Sequence, residues 1–355
     1  MSLNDIIFMK SYYDFIYLTN TPSFYKLNLC NEIARTNSLL LVLYGYGSEA
    51  VNTILENNKN LKFDYYFINQ GDSNTRNKWH TFIQLIKLMS SIRYKKVIYA
   101  GWMAPEYNLY SFFSPKYKNV MVCESSVFES SFNGIRGWIK RQIIGRMSGV
   151  LPSGKPHEEV FHQIGYKGII HITGSVGIFY KGRRECKVKP NQSLRYIYVG
   201  RLVDVKNVAL LIEEFNRNGK PLTIVGQGVL ETKLKEQAKA NITFTGFIDN
   251  NKLGDIYQAH DVFILPSKSE PWGLVVEEAL YWGLPVIVSD KVGSSIDMVK
   301  DLHTGCIFQS ENIDSLHEAV LLMEANYSTF KNAVWKINWS ERDNNQIKAY
   351  TSFIE

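Results

Sequence analysis

Short apolar runs alternate with amphipathic stretches along most of this chain. In the first half, strand-like runs lie at residues 15–18, 39–43, 63–68, 96–100 and 120–123, with helical patterns at 25–35 and 79–92 between them. A second series of such runs begins at residue 196 and continues through 222–225 and 242–247. Alternating strand and helix patterns predict the α/β class, in which a parallel sheet carries helices on both faces.

The segment 261–290 contains the most informative pattern. It begins with an apolar run ending at Leu265, continues through SKSEPWGLVVEEALYWGL and returns to a second apolar run, PVIV. Two buried parallel strands need a crossover between them, so the intervening residues must form a loop and a helix. Gly273 opens the helical part, while Gly283 and Pro285 close it, as is typical of a helix C-terminus.

Two carboxylates frame the start of this predicted helix. Glu270 lies in the loop at the carboxyl end of a strand, and Glu278 lies inside the helix, near its positive end. The opening residues Gly273 and Leu274 provide backbone N–H groups that attract anions, and open α/β sheets bind ligands at this edge. We therefore expect a sugar nucleotide, with Glu278 accepting from ribose hydroxyls and Glu270 from a sugar hydroxyl. The alternative is that both carboxylates are ordinary solvent-facing charges.

The motif EPWGLVVEE, from Glu270 to Glu278, is followed by GLPVI and resembles the E-x7-E signature of glycosyltransferase family 4. The resemblance implies the GT-B fold, in which two Rossmann-like domains face a central cleft. It also implies a retaining sugar transfer from a nucleotide-diphosphate donor, without a metal ion or other cofactor. In that family, the residues that match Gly246, Phe247 and Ile248 border the nucleobase.

A second cluster of candidates follows the predicted strand at 196–199. Gly200 at the strand end allows close approach of the backbone to a ligand, and Arg201 and Lys206 carry two positive charges to the same place. Fixed cations stabilise the negative charge that grows on a leaving diphosphate. These residues also match the G-R-L…K motif of family 4. The alternative is a pair of ordinary surface cations.

Length and composition predict two domains. At 355 residues and 45% hydrophobic content, the chain exceeds what one core usually covers. We place an N-terminal, acceptor-side Rossmann-like domain at 1–175, a basic irregular linker at 176–192 and a C-terminal donor-binding domain at 193–335. The closing segment 336–355 resembles the part of family 4 that returns to the first domain.

The net charge of the chain narrows the classes of binding partner, and its cysteine content narrows the cellular compartment. The net charge of +6 favours anionic partners, which include nucleotide phosphates, acidic glycolipids and anionic membrane surfaces; nucleic acid is not among the partners we expect. Cys30, Cys123, Cys186 and Cys306 form no C-x-x-C pair, which indicates reduced thiols. Neither a signal-peptide pattern nor a membrane-spanning apolar run is present. We expect a cytoplasmic protein, with at most peripheral contact at the inner face of the membrane.

Three places in the first half are candidates for ligand contact. The sequence TPSFYK at 21–26 stands where family 4 often has a glycine-rich loop for the donor phosphates, and it departs from that pattern. The glycines at 45–47 predict a turn rather than a phosphate loop. Glu124 follows the strand at 120–123, where relatives place a His or an acidic residue that meets the sugar. Three roles stay open for Glu124: orienting an acceptor hydroxyl, orienting a donor hydroxyl, or capping the next helix.

The stretch 132–147, FNGIRGWIKRQIIGRM, predicts a basic amphipathic helix. Its apolar residues near one face are Ile135, Trp138, Ile139, Ile143 and Met147, and its cations are Arg136, Lys140, Arg141 and Arg146. Such a helix with a Trp is typical of membrane interfaces. The alternative is a surface helix that packs Ile and Met on the sheet, and the two interpretations are compatible.

The leading hypothesis is a retaining, metal-independent hexosyltransferase that uses a nucleotide-diphosphate sugar. Its acceptor would be a hydroxyl of a glycan or a lipid-linked oligosaccharide in bacterial surface polysaccharide synthesis. Two alternatives are a sugar-nucleotide epimerase with the same architecture and an inactive donor-binding partner subunit. The epimerase would need acids and bases for which the first half offers few candidates beyond Glu124, and the intact Glu270, Glu278, Arg201 and Lys206 argue against an inactive subunit.

Overall fold

The chain forms two α/β units. The computed structural model describes residues 11–20, 23–45, 61–69, 75–102, 104–130, 132–177 and 193–354. One unit comprises Met1–Phe179 with Ser340–Glu355, and the other comprises Tyr180–Trp339. Each contains one sheet whose strands pair in parallel, so the predicted two-domain α/β fold is confirmed. Beyond its first two residues, the predicted linker 176–192 lies outside the described residues.

The N-terminal unit has a seven-stranded sheet with the order β3-β2-β1-β4-β5-β6-β7. Its strands are β1 (Tyr12–Thr19), β2 (Leu39–Leu43), β3 (Asp64–Phe67), β4 (Arg93–Ala100), β5 (Asn119–Cys123), β6 (Gly149–Pro152) and β7 (Ile169–Ile170). Its helices are α1 (Phe24–Ile33), α2 (Lys78–Ser91), α3 (Pro105–Tyr110), α4 (Gly134–Gly145), α5 (Lys155–Gln163) and the C-terminal helix Trp339–Thr351.

Helices cover both faces of this sheet. On one face, α2 to α5 bury side chains in a single hydrophobic cluster, among them Leu85, Tyr107, Ile144 and Phe161. On the other face, α1 and the C-terminal helix contribute to a second cluster, with residues such as Leu27 and Tyr350. The strands between the two layers are buried on both sides, which explains why they are continuous apolar runs rather than alternating ones.

The C-terminal unit has a six-stranded sheet with the order β10-β9-β8-β11-β12-β13. Its strands are β8 (Tyr196–Val199), β9 (Leu222–Val225), β10 (Ile242–Gly246), β11 (Val262–Leu265), β12 (Val286–Ser289) and β13 (Gly305–Phe308). Its helices are α6 (Val208–Asn218), α7 (Glu231–Gln237), α8 (Asn250–Gln258), α9 (Leu274–Tyr281) and α10 (Ile313–Trp335), with a π-helical segment at Ser295–Lys300.

Both sheets contain the same strand order, 3-2-1-4-5-6, when each is counted from its own first strand. In such a sheet the chain reverses its direction of progress between the first and fourth strands, and ligands bind at the carboxyl ends of these two strands. In the C-terminal unit this switch point lies between β8 and β11, which pair through Val262 with Tyr196 and Phe263 with Ile197. The loops after β8 and β11 therefore define its candidate site.

Two local features differ from the predicted pattern. Between the strand runs at 222–225 and 242–247 the sequence predicts a helix at 230–240, but α7 ends at Gln237, where Asn216 of α6 donates its side-chain amide to the Gln237 carbonyl at 2.7 Å. This hydrogen bond satisfies a carbonyl that a longer helix would have used internally. The π-helical segment Ser295–Lys300 was not predicted, since a single extra residue per turn leaves no clear periodic signal.

Candidate functional site

The switch point of the C-terminal unit brings Lys206 and Glu270 into direct contact. Lys206 lies in the short 3₁₀ turn after β8, and Glu270 lies in the loop after β11. The Lys206 Nζ donates to Glu270 Oε2, and the Ser267 hydroxyl donates to the same oxygen at 3.3 Å. Both charged side chains are only 14% exposed. The two predicted site residues therefore neutralise each other in the site.

Arg201 stands beside this pair with its backbone fixed and its side chain exposed. The buried Tyr198 hydroxyl donates to the Arg201 carbonyl at 3.0 Å. Burial raises the pKa of Tyr198, the charge of Glu270 raises it further, and the charge of Arg201 opposes them. Among the described residues, the Arg201 guanidinium has no hydrogen-bond or ion-pair partner. It is thus a cation that a ligand anion can take without breaking an existing contact.

Glycines allow the loops after β8 and β9 to pack against each other. A Cβ atom on Gly226 would lie 2.0 Å from the Gly200 carbonyl oxygen, and one on Gly228 would lie 2.4 Å from the Leu202 carbonyl oxygen. Gly226 also has a φ of 130°, which favours glycine. Backbone bonds from Gly200 to Val225 and from Leu202 to Gln227, each 3.0 Å long, continue the pairing beyond the strands. These contacts hold Gly200 at the sheet edge.

Gly273 allows α9 to begin directly over Glu270. Its φ of 90° is left-handed, and a Cβ atom there would meet Val292 at 3.0 Å and the Glu270 side chain at 3.4 Å. The Gly293 amide donates to the Glu270 carbonyl at 2.9 Å and fixes the loop. Among the residues that the structure describes, no side chain caps the start of α9 at Leu274, so this helix start can receive an anion near Glu270.

The two adjacent glutamates of α9 are both buried and both hydrogen-bonded. Glu278 is 7% exposed and accepts from the Tyr257 hydroxyl at 3.0 Å. Glu277 is 4% exposed and accepts from the Trp272 indole nitrogen at 2.8 Å. Glu278 therefore points inward, and the solvent-facing alternative does not hold for it. Tyr257 occupies one side of the Glu278 carboxylate and fixes its orientation.

Tyr257 and Gly254, both on α8, were missed by the sequence analysis. A Cβ atom on Gly254 would lie 2.5 Å from Trp282, which follows α9. The missing side chain therefore lets α8 approach α9 closely enough for the Tyr257 hydroxyl to reach Glu278. The available signal was the glycine one helical turn before a tyrosine, which places both on the same face of the helix.

Gly246, Phe247 and Ile248 lie at the end of β10, two strands away from the switch point. Gly246 has a φ of 72°, and its carbonyl accepts from the Gly226 amide at 2.8 Å. Phe247 is 67% exposed and Ile248 is half-buried. Val229, on the neighbouring loop after β9, is 89% exposed. The end of β10 thus presents an aromatic ring that a planar ligand can stack on.

Glu124 belongs to the N-terminal unit, at the end of β5. Its carboxylate lies 3.9 Å from the Lys26 Nζ, and the two side chains are 34% and 11% exposed. Burial alone would lower the pKa of Lys26, but the charges of Glu124, Tyr25 and Cys30 together outweigh that effect and the pKa is raised. Lys26 also donates to Thr19 at 3.4 Å. Residues 21–22 and 46–47 of the two other candidate loops lie outside the described residues.

The predicted basic helix is α4. Its packing on the sheet fits the surface-helix interpretation, and the membrane-interface interpretation stays a prediction. Ile144 and, just beyond the helix, Met147 are buried against the sheet, while Ile135 is 79% exposed and Trp138 is 60% exposed. Across the described part of the chain, no helix has the length and apolarity needed to cross a bilayer.

Comparison with known proteins finds a family model that matches the C-terminal unit. Residues 183–337 match the family model described as glycosyl transferases group 1. An uncharacterized glycosyltransferase of Methanocaldococcus jannaschii is 30% identical over 143 residues, covering 38% of this chain and 36% of that protein. A GDP-mannose-dependent alpha-mannosyltransferase of Mycolicibacterium smegmatis is 33% identical over 117 residues, covering 33% of this chain and 31% of that protein. The chain thus aligns with about a third of the length of these relatives.

Solved structures match over nearly the whole chain. The apo lipopolysaccharide outer core galactosyltransferase WaaB superposes with a TM-score of 0.72 at 15% identity, covering 95% of this chain and 99% of that one. Anabaena HepE in complex with UDP gives a TM-score of 0.67 at 16% identity, covering 97% of this chain and 96% of that one. These similarities show the GT-B fold. The loops after β8 and β11 fall within the residues that the glycosyl transferases group 1 model matches.

Proposed function

We propose that this chain is a retaining, metal-independent glycosyltransferase of family 4. It moves a hexose-type sugar from a nucleotide-diphosphate donor to a hydroxyl of a glycan or lipid-linked acceptor, in bacterial surface polysaccharide synthesis. The observation that carries the proposal is the meeting of Lys206 and Glu270 at the sheet switch point, with exposed Arg201 beside them and the start of α9 above. Cations and carboxylates in one place suit a ligand that carries both phosphates and hydroxyls.

The donor diphosphate would be bound by Arg201, Lys206 and the start of α9 at Gly273 and Leu274. Lys206 would exchange Glu270 for a phosphate oxygen, which frees the Glu270 carboxylate to accept a sugar hydroxyl. As the glycosidic bond breaks, negative charge grows on the leaving phosphate, and cations already in place stabilise it without a metal ion. In a front-face displacement, the leaving phosphate oxygen takes the proton of the acceptor hydroxyl, so no separate base is needed.

The nucleoside would lie on the other side of the diphosphate. Glu278, whose carboxylate is oriented by Tyr257, would accept from the ribose hydroxyls. The nucleobase would lie along Gly246, Phe247 and Ile248, where the exposed Phe247 ring provides a stacking surface. The solved HepE complex contains UDP, while the mycobacterial relative is named for GDP-mannose. Either nucleotide class is therefore a candidate donor.

The proposal also includes an acceptor and a cellular location. Relatives named for O-antigen and teichuronic acid synthesis favour a surface polysaccharide acceptor. Glu124, paired with Lys26, is the proposed residue for orienting a hydroxyl. We place the protein in the cytoplasm, in peripheral contact with the inner face of the cell membrane.

A panel of UDP-, GDP- and ADP-sugars tests the proposal directly. Each donor is incubated with the full chain in the presence and absence of EDTA, and sugar release to water and donor interconversion are followed by mass spectrometry. We expect slow hydrolysis of one donor class, unchanged by EDTA, with the released sugar keeping its anomeric configuration by NMR. Interconversion of donors would instead support an epimerase, and no reaction with any donor would support an inactive binder.

Binding measurements test the site assignment separately. We expect Glu278→Ala and Arg201→Ala each to weaken donor binding in a thermal-shift titration. Arg217→Ala is the matched control, because Arg217 is an exposed cation of the same unit whose partner is Glu213 on its own helix. Unchanged donor binding in both site variants would show that the donor lies elsewhere.

A further inference from the structure

The N-terminal unit exposes an unusual set of large apolar side chains on one helical layer. On α2, Trp79 is 71% and Ile83 is 51% exposed. After α3, Phe112 is 46% and Phe113 is 64% exposed. On α4, the exposed positions include Ile135 and Trp138, at 79% and 60%. These six residues define the surface that we call the aromatic face.

The three segments of the aromatic face point in the same direction. Helices α2, α3 and α4 bury their inner sides in one hydrophobic cluster on one face of the sheet, through residues such as Leu85, Tyr110 and Ile144. Because the helices of one layer lie side by side on a sheet, their outer sides face away from it together. The exposed residues therefore form one broad surface rather than three separate sites.

Direct contacts connect the segments. The rings of Phe82 on α2 and Phe113 lie 5.5 Å apart. At the end of α4, Arg146 donates to the carbonyls of Ser111 and Ser114, at 3.2 and 3.1 Å, and its guanidinium lies 6.0 Å from the Phe112 ring. The loop that carries Phe112 and Phe113 is thus anchored on both sides, to α2 and to α4.

The same part of the chain is strongly cationic. Residues 75–150 contain twelve Lys and Arg but only three Asp and Glu. Two of these acids are already paired, because Glu106 accepts from Arg76 and Glu124 faces Lys26. An exposed cation adjoins the apolar residues of α2, because Lys87 continues the Trp79 and Ile83 stripe by one further turn. Any partner of this surface must provide both an apolar interior and negative charge.

We propose that the aromatic face is the surface by which the protein docks on an anionic lipid bilayer. Trp and Phe side chains enter the boundary between headgroups and acyl chains, while the surrounding Lys and Arg contact anionic headgroups. The inference rests on the proposed function, which includes a peripheral contact with the membrane, and it names the surface that makes this contact. It extends that contact from α4 to α2 and the Phe112–Phe113 loop.

Charge argues against a second copy of the chain as the occupant. In a two-fold symmetric contact, the same patch meets itself. Such a contact would place the excess of Lys and Arg of one copy opposite the same excess in the other, and like charges across an interface oppose association. An anionic bilayer instead matches both properties of the surface.

Vesicle co-sedimentation of the full chain tests the proposal. The probes are vesicles of phosphatidylcholine with phosphatidylglycerol and vesicles of phosphatidylcholine alone. We expect at least about tenfold tighter binding to the anionic vesicles. This preference should fall when salt rises from about 0.1 M to about 1 M, over which the screening length shortens from about 10 Å to about 3 Å. Equal binding to both vesicles, or no binding to either, would overturn the proposal.

Paired variants locate the surface. Trp79→Ser with Phe113→Ser, and separately Ile135→Ser with Trp138→Ser, should each weaken binding about tenfold or more. Leu321→Ser with Leu322→Ser is the matched control on α10, because these leucines are 50% and 52% exposed on the other unit. A second route pairs Lys87→Glu with Lys116→Glu, where Lys116 is an exposed cation three residues after Phe113. This variant changes charge without removing apolar surface and should lower binding to anionic vesicles only.

The remaining outcomes are equally decisive. If only the α4 pair matters, the extension to α2 and the Phe112–Phe113 loop is wrong. If light scattering shows a dimer that the serine variants dissociate while vesicle binding is unaffected, the occupant is a second copy. Donor hydrolysis is measured in the same samples without lipid. A loss of vesicle binding with hydrolysis retained therefore separates failure of this inference from failure of the proposed function.

Discussion

The two units contain the same strand order, yet the loops at their switch points differ in the charged groups that they leave available to a ligand. In the C-terminal unit, the loops after β8 and β11 bring together Arg201, Lys206 and Glu270, and the Arg201 guanidinium is exposed. In the N-terminal unit, charges near the equivalent edge are used internally. There Glu106 is 4% exposed and binds both Arg76 and the Tyr44 hydroxyl.

This difference indicates that the charged groups of the N-terminal unit stabilise its loops, while those of the C-terminal unit are placed to bind a ligand. A buried ion pair whose partners also hydrogen-bond to each other is costly to open, so the Arg76, Glu106 and Tyr44 cluster stabilises its loops rather than receiving a ligand. The exposed Arg201 can bind an anion at little cost. The family match to residues 183–337 includes Arg201 and does not include the Arg76, Glu106 and Tyr44 cluster.

Removing the exposed cation should give the largest effect. Arg201→Ala is expected to lower kcat/KM by about 10²–10³-fold, because it removes charge stabilisation of the leaving phosphate. Steady-state donor hydrolysis or transfer measures the change. Arg217→Ala should leave kcat/KM within about twofold, in line with the small contribution of an exposed i,i+4 ion pair. Equal losses of kcat/KM in the two variants would show that Arg201 contributes no more to the reaction than an ordinary surface cation.

Opening the internal cluster should act on stability. Glu106→Ala is expected to destabilise the protein by about 3 kcal/mol, since it leaves Arg76 and the Tyr44 hydroxyl without their shared acceptor. Chemical denaturation measures the change in the free energy of unfolding. Glu213→Ala, which removes an ion pair with both partners 54% exposed, should cost less than about 1 kcal/mol.

The same carboxylate gives a pH dependence with a definite sign. Burial would raise the pKa of Glu106, but hydrogen bonds from Tyr44 and Arg76 outweigh it and lower the pKa. A carboxyl group with a lowered folded-state pKa stabilises the protein above its unfolded-state pKa, about 4.3 for Glu. This contribution is lost as the pH falls through the folded-state pKa. Thermal unfolding between about pH 6 and pH 3 should therefore show a decline in Tm that is smaller in Glu106→Ala.

Adding a side chain at the glycine contact on the edge of the C-terminal sheet should destabilise the protein somewhat less than Glu106→Ala does. Gly226→Ala places a Cβ atom against the Gly200 carbonyl at a φ of 130°, and we expect a loss of about 2–3 kcal/mol. Gly145→Ala is the control, because no atom of the described residues lies within 4 Å of its added Cβ. Calorimetry should show a lower Tm for the first variant and an unchanged or slightly higher one for the second.

The smallest effect is expected at the residue that positions Glu278. Tyr257→Phe removes one hydrogen bond, worth about 1 kcal/mol, and should raise the donor KM about fivefold with kcat nearly unchanged. Tyr196→Phe removes a comparable hydroxyl contact to Glu324, at 3.2 Å, away from the loops after β8 and β11. Its donor KM should stay at the wild-type value. A similar rise of KM in both variants would indicate general loosening of the unit rather than positioning of Glu278.

The sequence predicted the strands of the site and the position of Glu270 well, because apolar runs and glycine stops are local signals. The bounds of β8 and β9 agree with the predicted runs to the residue. It could not predict that Lys206 and Glu270 would pair, since 64 residues separate them and only the sheet order brings them together. Gly226 and Gly228 illustrate the same limit, because their role depends on backbone from a neighbouring strand.

The close contact between α8 and α9 determines how far the site can be treated as a module. Gly254, which has no side chain, leaves space for Trp282, and Tyr257 contacts Glu278 from the same helix. Grafting residues 267–290 alone onto another scaffold would therefore transplant Glu278 without the hydroxyl that orients it and leave the Trp282 ring with nowhere to fit. A transferable unit must begin at the first residue of α8.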